Sequence, residues 1–345
     1  MKNNLIIRIV VVIFCCVLFG ELFLQVYFKV NNGIWLWQRD TFVVDYTVST
    51  SDRRQYTLRP DFIDTQQGIT INSLGFRGAT VLHNDENQTL IVNLGDSVPF
   101  GVGVKDNETY SFYLQQQLKL NDITDVDVLN AGITSYNLRQ SFDRLVVDVM
   151  EYYTPDIVTF SVANDINLLY NYKDSWTPDV TWADIRTSNS IFALQYYISR
   201  VFPGDTSKQQ PNNDQLDSHV MLEYIQSELV PEILSFCESN DIKVVFIPIN
   251  PFYYSTDTPK NDELSNWDLY RHYLELCTDA MIKYNEILYE ASNKFSHVYY
   301  WNVCSFLDGY DREEMFIDIF HYSPKGNKVV GEGLLNFLKT VNILE

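Results

Sequence analysis

TLIVNLGDSVPFGVGV, residues 89–104, opens as a strand and closes as a turn. Leu90 to Leu94 is an aliphatic and β-branched run of the length of a buried strand, and Gly95 ends it. Ser97 therefore falls just past the carboxyl end of that strand, where open α/β sheets place their ligands. Two readings of Gly95-Asp96-Ser97 stand at this point: a nucleophile held on a tight turn, or an ordinary Asx or Ser turn bonded to its own backbone. The rest of the chain has to decide between them.

Working outward, Tyr110, Tyr113, Leu114 and Leu118 share one helical face, which predicts a helix from about Glu108 to Leu120. A second strand, Val126 to Leu129, ends in Asn130-Ala131-Gly132. After a helix from Leu138 to Met150, a third strand from Asp156 to Val162 ends in Ala163-Asn164-Asp165. Strand alternating with helix points to right-handed βαβ units and a parallel sheet, hence an α/β fold. The pattern resumes with a helix from about His219 to Ser239, a strand Lys243 to Ile249, a helix Trp267 to Asn293 and a strand Val298 to Val303. A last helix runs from Pro324 to about Thr340.

Two regions read less clearly. Residues 167–217 hold Trp176, Trp182, Phe192, Tyr196, Tyr197 and Phe202 before a Pro-, Gly- and Asn-rich loop, and fit either a lid-like insertion or a helix packed by its aromatics. Residues 31–87 form an irregular extension with short β-like pieces. Within it Ile71 to Gly78, INSLGFRG, predicts a tight turn presenting Phe76 and Arg77, the arginine being either a surface salt-bridge partner or a substrate ligand.

With 345 residues, 46% of them hydrophobic, the chain can bury a full core, and a net charge of −20 leaves no basic surface for nucleic acid. Cys237, Cys277 and Cys304 are far apart, and none of the five cysteines has zinc-ligand spacing, so neither metal nor cofactor is expected. Within the apolar segment Leu5 to Val30, Ile9 to Leu24 carries one charge and, extended to Phe28, reaches the roughly 20 residues that cross a bilayer. Lys2 and Arg8 precede that span, so residues 1–30 are expected to be an uncleaved, single-pass signal anchor holding the rest of the chain outside the cytoplasm. Cleavage of the segment is the alternative. Two Asn-x-Thr sequons, at Asn87 and Asn107, fit a translocated domain.

The three strand ends fall on one edge of a parallel sheet, so Ser97, Gly132 and Asn164 can meet although they are far apart in sequence. Acyl transfer needs such a meeting: a nucleophile at a carbonyl carbon, with donors aimed at the oxygen that gathers charge. Backbone N–H groups at Ser97 and Gly132 and the Asn164 side-chain amide are the candidate donors. The base is sought in Phe316 to Asn327, FIDIFHYSPKGN, where Asp318 and His321 are three residues apart. In a turn or short helix the carboxylate can fix one ring nitrogen and leave the other to take the Ser97 proton. Among the five histidines only His321 has an aspartate at this spacing.

In this order the four blocks resemble the SGNH or GDSL hydrolase superfamily: Gly95-Asp96-Ser97 with Gly101, Asn130-Ala131-Gly132, Asn164-Asp165, and Asp318 to His321 followed by Pro324, Gly326 and Asn327. The resemblance spans about Leu90 to Leu338. It implies a flavodoxin-like three-layer α/β/α sandwich with five parallel strands over residues 88–345, a Ser97-His321-Asp318 triad, and an oxyanion hole from Ser97, Gly132 and Asn164. The anchor and the segment Asn72 to Gly78 look like a membrane-tethered branch of that superfamily. Two departures concern substrate choice: Val162 stands where the third block usually has glycine, and Ser135 where a second glycine often follows Gly132. The expected activity is that of a serine esterase acting on acetyl-type esters, small or carried on a glycan. The alternatives are O-acyl transfer to cell-surface polysaccharide and a catalytically silent anchored binding protein.

Overall fold

The computed structural model describes residues 46–81, 88–172, 177, 217–248, 267–318 and 320–344, with scattered positions between 19 and 30. The expected anchor, the start of the extension, the Asn87 sequon and almost all of the insertion at 173–216 lie outside the described residues. Among the described residues no helix is long and apolar enough to cross a membrane. The chain divides into two compact units, residues 1–49 with 182–214, and residues 50–181 with 215–345. The first contains the short strand β1 (Thr47–Ser49).

The second unit is built on five parallel strands: β5 (Thr89–Gly95), β6 (Val126–Asn130), β7 (Ile157–Ser161), β8 (Lys243–Ile247) and β9 (Val298–Tyr300). Their order across the sheet is β6-β5-β7-β8-β9. This is the doubly wound order 2-1-3-4-5, which reverses direction at the first strand and opens a crevice beyond its carboxyl end. Register pairs Asn93 with Asn130 and Gly95 with Ser161, so the second and third strand ends flank the first. Right-handed crossovers that leave β5 in opposite directions put successive helices on opposite faces. On one face α2 (Tyr110–Leu120) packs against the terminal helix α11 (Pro324–Thr340). On the other lie α3 (Leu138–Arg144) and α7 (Val230–Ser239), joined where the Phe142 and Phe236 rings meet edge to face at 5.5 Å. The expected three-layer α/β/α arrangement is what forms.

Strand composition explains the burial. Leu90, Ile91, Val92 and Leu94 are fully buried, as are Ile157, Val158, Val244, Val245 and Phe246. Such near-continuous apolar runs belong to strands covered on both faces. Two polar residues sit among them without a penalty, since Thr159 Oγ1 donates to Asn93 Oδ1 (2.8 Å) and Asn93 Nδ2 donates to Ser111 Oγ (2.9 Å).

Several element ends depart from the sequence reading. The helix begun at Leu138 passes through a π turn at Leu145–Val149 before closing as α4 (Met150–Tyr152). The helix begun at His219 is α6 (His219–Tyr224), followed by a π turn at Ile225–Leu229. There Pro231, at the second position of α7, has no N–H to continue the ladder and its ring crowds the preceding turn. A regular helix α5 (Asn164–Tyr172) continues from the third block, where the sequence pattern loosens at Asn167. The last strand is shorter than expected, because Asn302 caps a short helix α9 (Val303–Leu307).

Within the described part of the extension, residues 50–81, the short β-like pieces expected are present. They are β2 (Tyr56–Leu58) and the antiparallel pair β3 (Ile63–Asp64) and β4 (Ile69–Thr70). In the turn that follows, Asn72 Oδ1 accepts from the N–H groups of Leu74 and Phe76 (3.0 Å each), and Gly75 adopts a left-handed φ of 80°. That turn drives Phe76 into the core, beneath the Arg144 guanidinium at 4.9 Å. The salt bridge expected of Arg77 is made, to the partly exposed Asp106 (2.9 Å), but the arginine itself is buried rather than on the surface: its side chain is only 1% exposed and also donates to carbonyls of the segment after Ser97.

Candidate active site

The first block needs glycine for a physical reason. Gly95 lies at φ 142°, and a Cβ there would stand 1.9 Å from the Ser161 carbonyl oxygen of the neighbouring strand. Asp96 next caps α1 (Ser97–Phe100): its Oδ1 accepts from Val98 N–H (3.0 Å) and its Oδ2 from Ala163 N–H (2.8 Å). One buried carboxyl thus staples the first block to the third. Burial pushes its protonation upward, partly offset by those N–H donors. Ser97, half-buried, is the first residue of the one-turn helix.

His321 arrives on a closed turn rather than a helix. Ile317 N–H donates to the His321 carbonyl (2.9 Å), and Ser323 N–H to the Met315 carbonyl (2.8 Å), where α10 (Arg312–Met315) ends. Ser323 then caps α11 by accepting from Gly326 N–H (3.0 Å). Within the turn Asp318 Oδ1 accepts from the N–H groups of Phe320 and His321 (2.7 Å each), and Oδ2 lies 2.8 Å from His321 Nδ1. His321 Nε2 lies 2.8 Å from Ser97 Oγ. A carboxylate can only accept, so Nδ1 carries the proton and Nε2 is left as acceptor for the serine O–H. Burial works against ionising Asp318, yet the His321 ring and the two N–H donors outweigh it and hold the carboxyl below its ordinary value.

The two remaining donors are placed differently. Gly132 sits hard against α1, since a Cβ there would stand 2.3 Å from Phe100 N and 2.8 Å from the Pro99 carbonyl carbon. Its own N–H, however, donates to Asn130 Oδ1 (3.1 Å), while Asn130 Nδ2 donates to the Pro99 carbonyl (2.8 Å). The expected oxyanion donor is thus engaged by its neighbour and has to be shared or exchanged when a substrate oxygen arrives. Asn164 begins α5 beside the stapled Ala163, and its Oδ1 accepts from Asn167 Nδ2 (3.0 Å). Asp165 faces away, accepting from Leu138 N–H (2.9 Å) at the start of α3. Burial and the nearby Asp96 raise its carboxyl to about 7.

Sequence reasoning gave no role to Asp96, Asn130 or Arg144. Arg144 is 1% exposed; its Nε donates to the Ala131 carbonyl and its Nη2 to the Gly75 carbonyl (2.8 Å each), tying the second block to the extension. The sequence offered no signal for Arg144, since Arg139, Asp143 and Asp148 share its helical segment. A serine whose proton can pass to an imidazole, which is steadied in turn by a carboxylate, is equipped for nucleophilic attack on an acyl carbon.

Residues 91–334 match the family described as GDSL-like Lipase/Acylhydrolase. No curated protein matches the chain. Among solved structures, an alpha/beta hydrolase enzyme from the metagenome of Lake Arreo, Spain, is 15% identical, with 74% of this chain and 96% of that one covered at a TM-score of 0.44. A variant of Axe2, an acetyl-xylooligosaccharide esterase from Geobacillus stearothermophilus, is 12% identical over 76% and 98%, also at 0.44. The psychrotrophic esterase EstA from Pseudoalteromonas is 15% identical over 74% and 100%, at 0.42. At such identities and TM-scores these likenesses carry no argument of their own. The family rests on the matched residues and the fold class on the sheet order.

Proposed function

The chain belongs to the GDSL-like lipase/acylhydrolase family and is an ester-hydrolysing enzyme, and from that premise we propose that it cleaves acetyl-type carboxylic esters through an acyl-enzyme on Ser97. The observation that carries this reading is the unbroken relay of two 2.8 Å contacts, from Ser97 Oγ to His321 Nε2 and from His321 Nδ1 to Asp318 Oδ2. Ser97 Oγ bonds to the ester carbonyl carbon as its proton passes to His321 Nε2. The carbonyl π electrons move onto oxygen, where the Ser97 N–H and the Asn164 amide stabilise the charge, joined by the Gly132 N–H once it turns from Asn130. Collapse expels the alkoxide, which takes the proton from His321 and leaves as alcohol. Water then gives a proton to His321 as its oxygen bonds to the acyl carbon; collapse breaks the Ser97 Oγ–acyl bond, the serine oxygen takes the proton back from His321 Nε2, and the acid leaves.

The test is a purified full-length chain assayed with p-nitrophenyl acetate and labelled with a fluorophosphonate probe. Wild type is expected to hydrolyse and label, and Ser97→Ala to do neither. Equal labelling of both would turn the reading towards a silent binding protein. Product partition towards an added glycan acceptor would turn it towards acyl transfer. The apolar run from Ile9 to Phe28, with Lys2 and Arg8 before it, supports a further part of the proposal, that this segment anchors the enzyme outside the cytoplasm, where an acylated glycan is a substrate class it would meet. Release of the enzyme by high salt without detergent would contradict it.

A further inference from the structure

Arg77 lies outside all four blocks that carry the chemistry, in the extension before the first core strand. Its Nε donates to Asp106 Oδ1 (2.9 Å), its Nη1 to the carbonyls of Phe100 and Gly101, and its Nη2 to the carbonyl of Val104, the last three at 2.6 Å. The guanidinium carbon stands 4.5 Å from the centre of the Phe100 ring. These are not arbitrary carbonyls. Phe100 is the last residue of the four-residue helix whose first is Ser97, and Gly101, at φ 87°, is its cap, donating N–H to the carbonyls of Ser97 and Val98. One turn of helix is too short to hold itself, and the carbonyls at its end have no partner inside it. A planar fork of donors can seize several at once from one side, which an ammonium cannot.

We propose that Arg77 is a positioning residue for Ser97: by gripping the far end of α1 it fixes where the serine hydroxyl stands relative to His321 Nε2. Arg77 touches no reacting atom. Its effect runs through the carbonyls of Phe100, Gly101 and Val104. The proposal rests on the reading of Ser97 as nucleophile, and displacement of a reacting group by about 1 Å is enough to lower a rate by about 10²-fold. The extension is then part of the catalytic apparatus, although it carries none of the motif.

The test is R77K in the full-length chain, which keeps a cation beside Asp106 but loses the fork. Leu234→Ala on α7, buried and outside both α1 and the Arg77 contacts, is the control for lost stability. The measurements are kcat and KM for p-nitrophenyl acetate, the second-order rate of fluorophosphonate labelling, and the melting temperature. R77K is expected to lose about 10- to 100-fold in kcat and the same factor in labelling rate, with KM within about twofold of wild type. L234A is expected to melt lower yet keep its kcat. If R77K does not fold, Phe100→Leu removes only the ring under the guanidinium, and a severalfold loss in kcat and labelling alike is expected. Wild-type labelling with R77K equally fast, or with kcat falling in R77K and L234A in proportion to lost stability, overturns this proposal alone. Wild type that does not label overturns the nucleophile reading beneath it.

Discussion

Gly132→Ala separates crowding from chemistry at the site. Alanine keeps the backbone N–H, so whatever activity is lost is not lost through removal of a donor. The new Cβ would lie 2.3 Å from Phe100 N, 2.8 Å from the Pro99 carbonyl carbon and 2.9 Å from Phe100 Cα, all backbone atoms of α1 that no rotamer change can move aside. Ordinary contact begins at 3.4 Å, so the helix and the Gly132 turn must part by about 1 Å. Ser97 rides on that helix, and its 2.8 Å contact with His321 has no such slack. A misplacement of that size lowers kcat by about 10²-fold, and overpacking costs about 1–3 kcal/mol of stability. The assay is kcat on p-nitrophenyl acetate beside fluorophosphonate labelling and a denaturant melt. Activity within threefold of wild type would refute the claim that contact between the second block and α1 sets the serine.

Three further variants follow from the same geometry. Asp318→Asn presents an amide to His321 Nδ1 and favours the wrong tautomer, so kcat is expected to fall by about 10³–10⁴ with little change in KM; a loss under tenfold would remove Asp318 from the relay. Asp165→Asn keeps an acceptor for Leu138 N–H but cannot ionise. An acid raised from 3.8 to about 7 costs nothing below its ordinary value and an increasing amount as pH climbs to about 7, because the unfolded chain sheds the proton that the folded one retains. The variant should therefore gain on wild type by up to about 4 kcal/mol between pH 4 and pH 8, and an equal gap at both pH values refutes it. Ser135→Gly relieves a left-handed φ of 65° in the second block, for a gain of about 0.5–1 kcal/mol after glycine's own entropy cost. A lower melting temperature for that variant would refute the strain.

The strands and the meeting of Asp318 with His321 were legible because each has a local signature. Leu90 to Leu94 is apolar but for Asn93, and the three-residue spacing of Asp318 and His321 is a short-range pattern that survives without coordinates. What could not be read is what depends on a partner far away in the chain. The π turn at Leu145–Val149 interrupts a pattern that looked continuously helical, and we have no physical account of it. Arg77 read as a surface or substrate cation because arginines are rarely buried, and only the fold reveals three carbonyls waiting 23 to 27 residues onward. The Gly132 N–H, expected to face a substrate, was already answered by Asn130 two residues before it.

A division of labour emerges within the blocks, and it accounts for their composition better than chemistry alone. In the first, Asp96 holds and Ser97 is the proposed nucleophile: the carboxyl bridges Val98 and Ala163 while the hydroxyl faces His321. In the second, Asn130 holds, bridging Pro99 and Gly132, and Gly132 lets the backbones close. In the third, Asp165 holds the start of α3 through Leu138 N–H, and Asn164 is the donor. After the fourth, Asn327 accepts from Tyr110 N–H (3.0 Å) and so ties α11 to α2. Each reacting group thus stands beside a buried polar group whose bonds cross to another element. Such a group is costly unless satisfied, and the bonds to Ala163, Pro99, Leu138 and Tyr110 are made only when the elements stand in their native places. The polar residues that add no chemistry are therefore what forces four distant segments to one edge of the sheet, and removing any of them should disturb the reacting geometry before it disturbs the core.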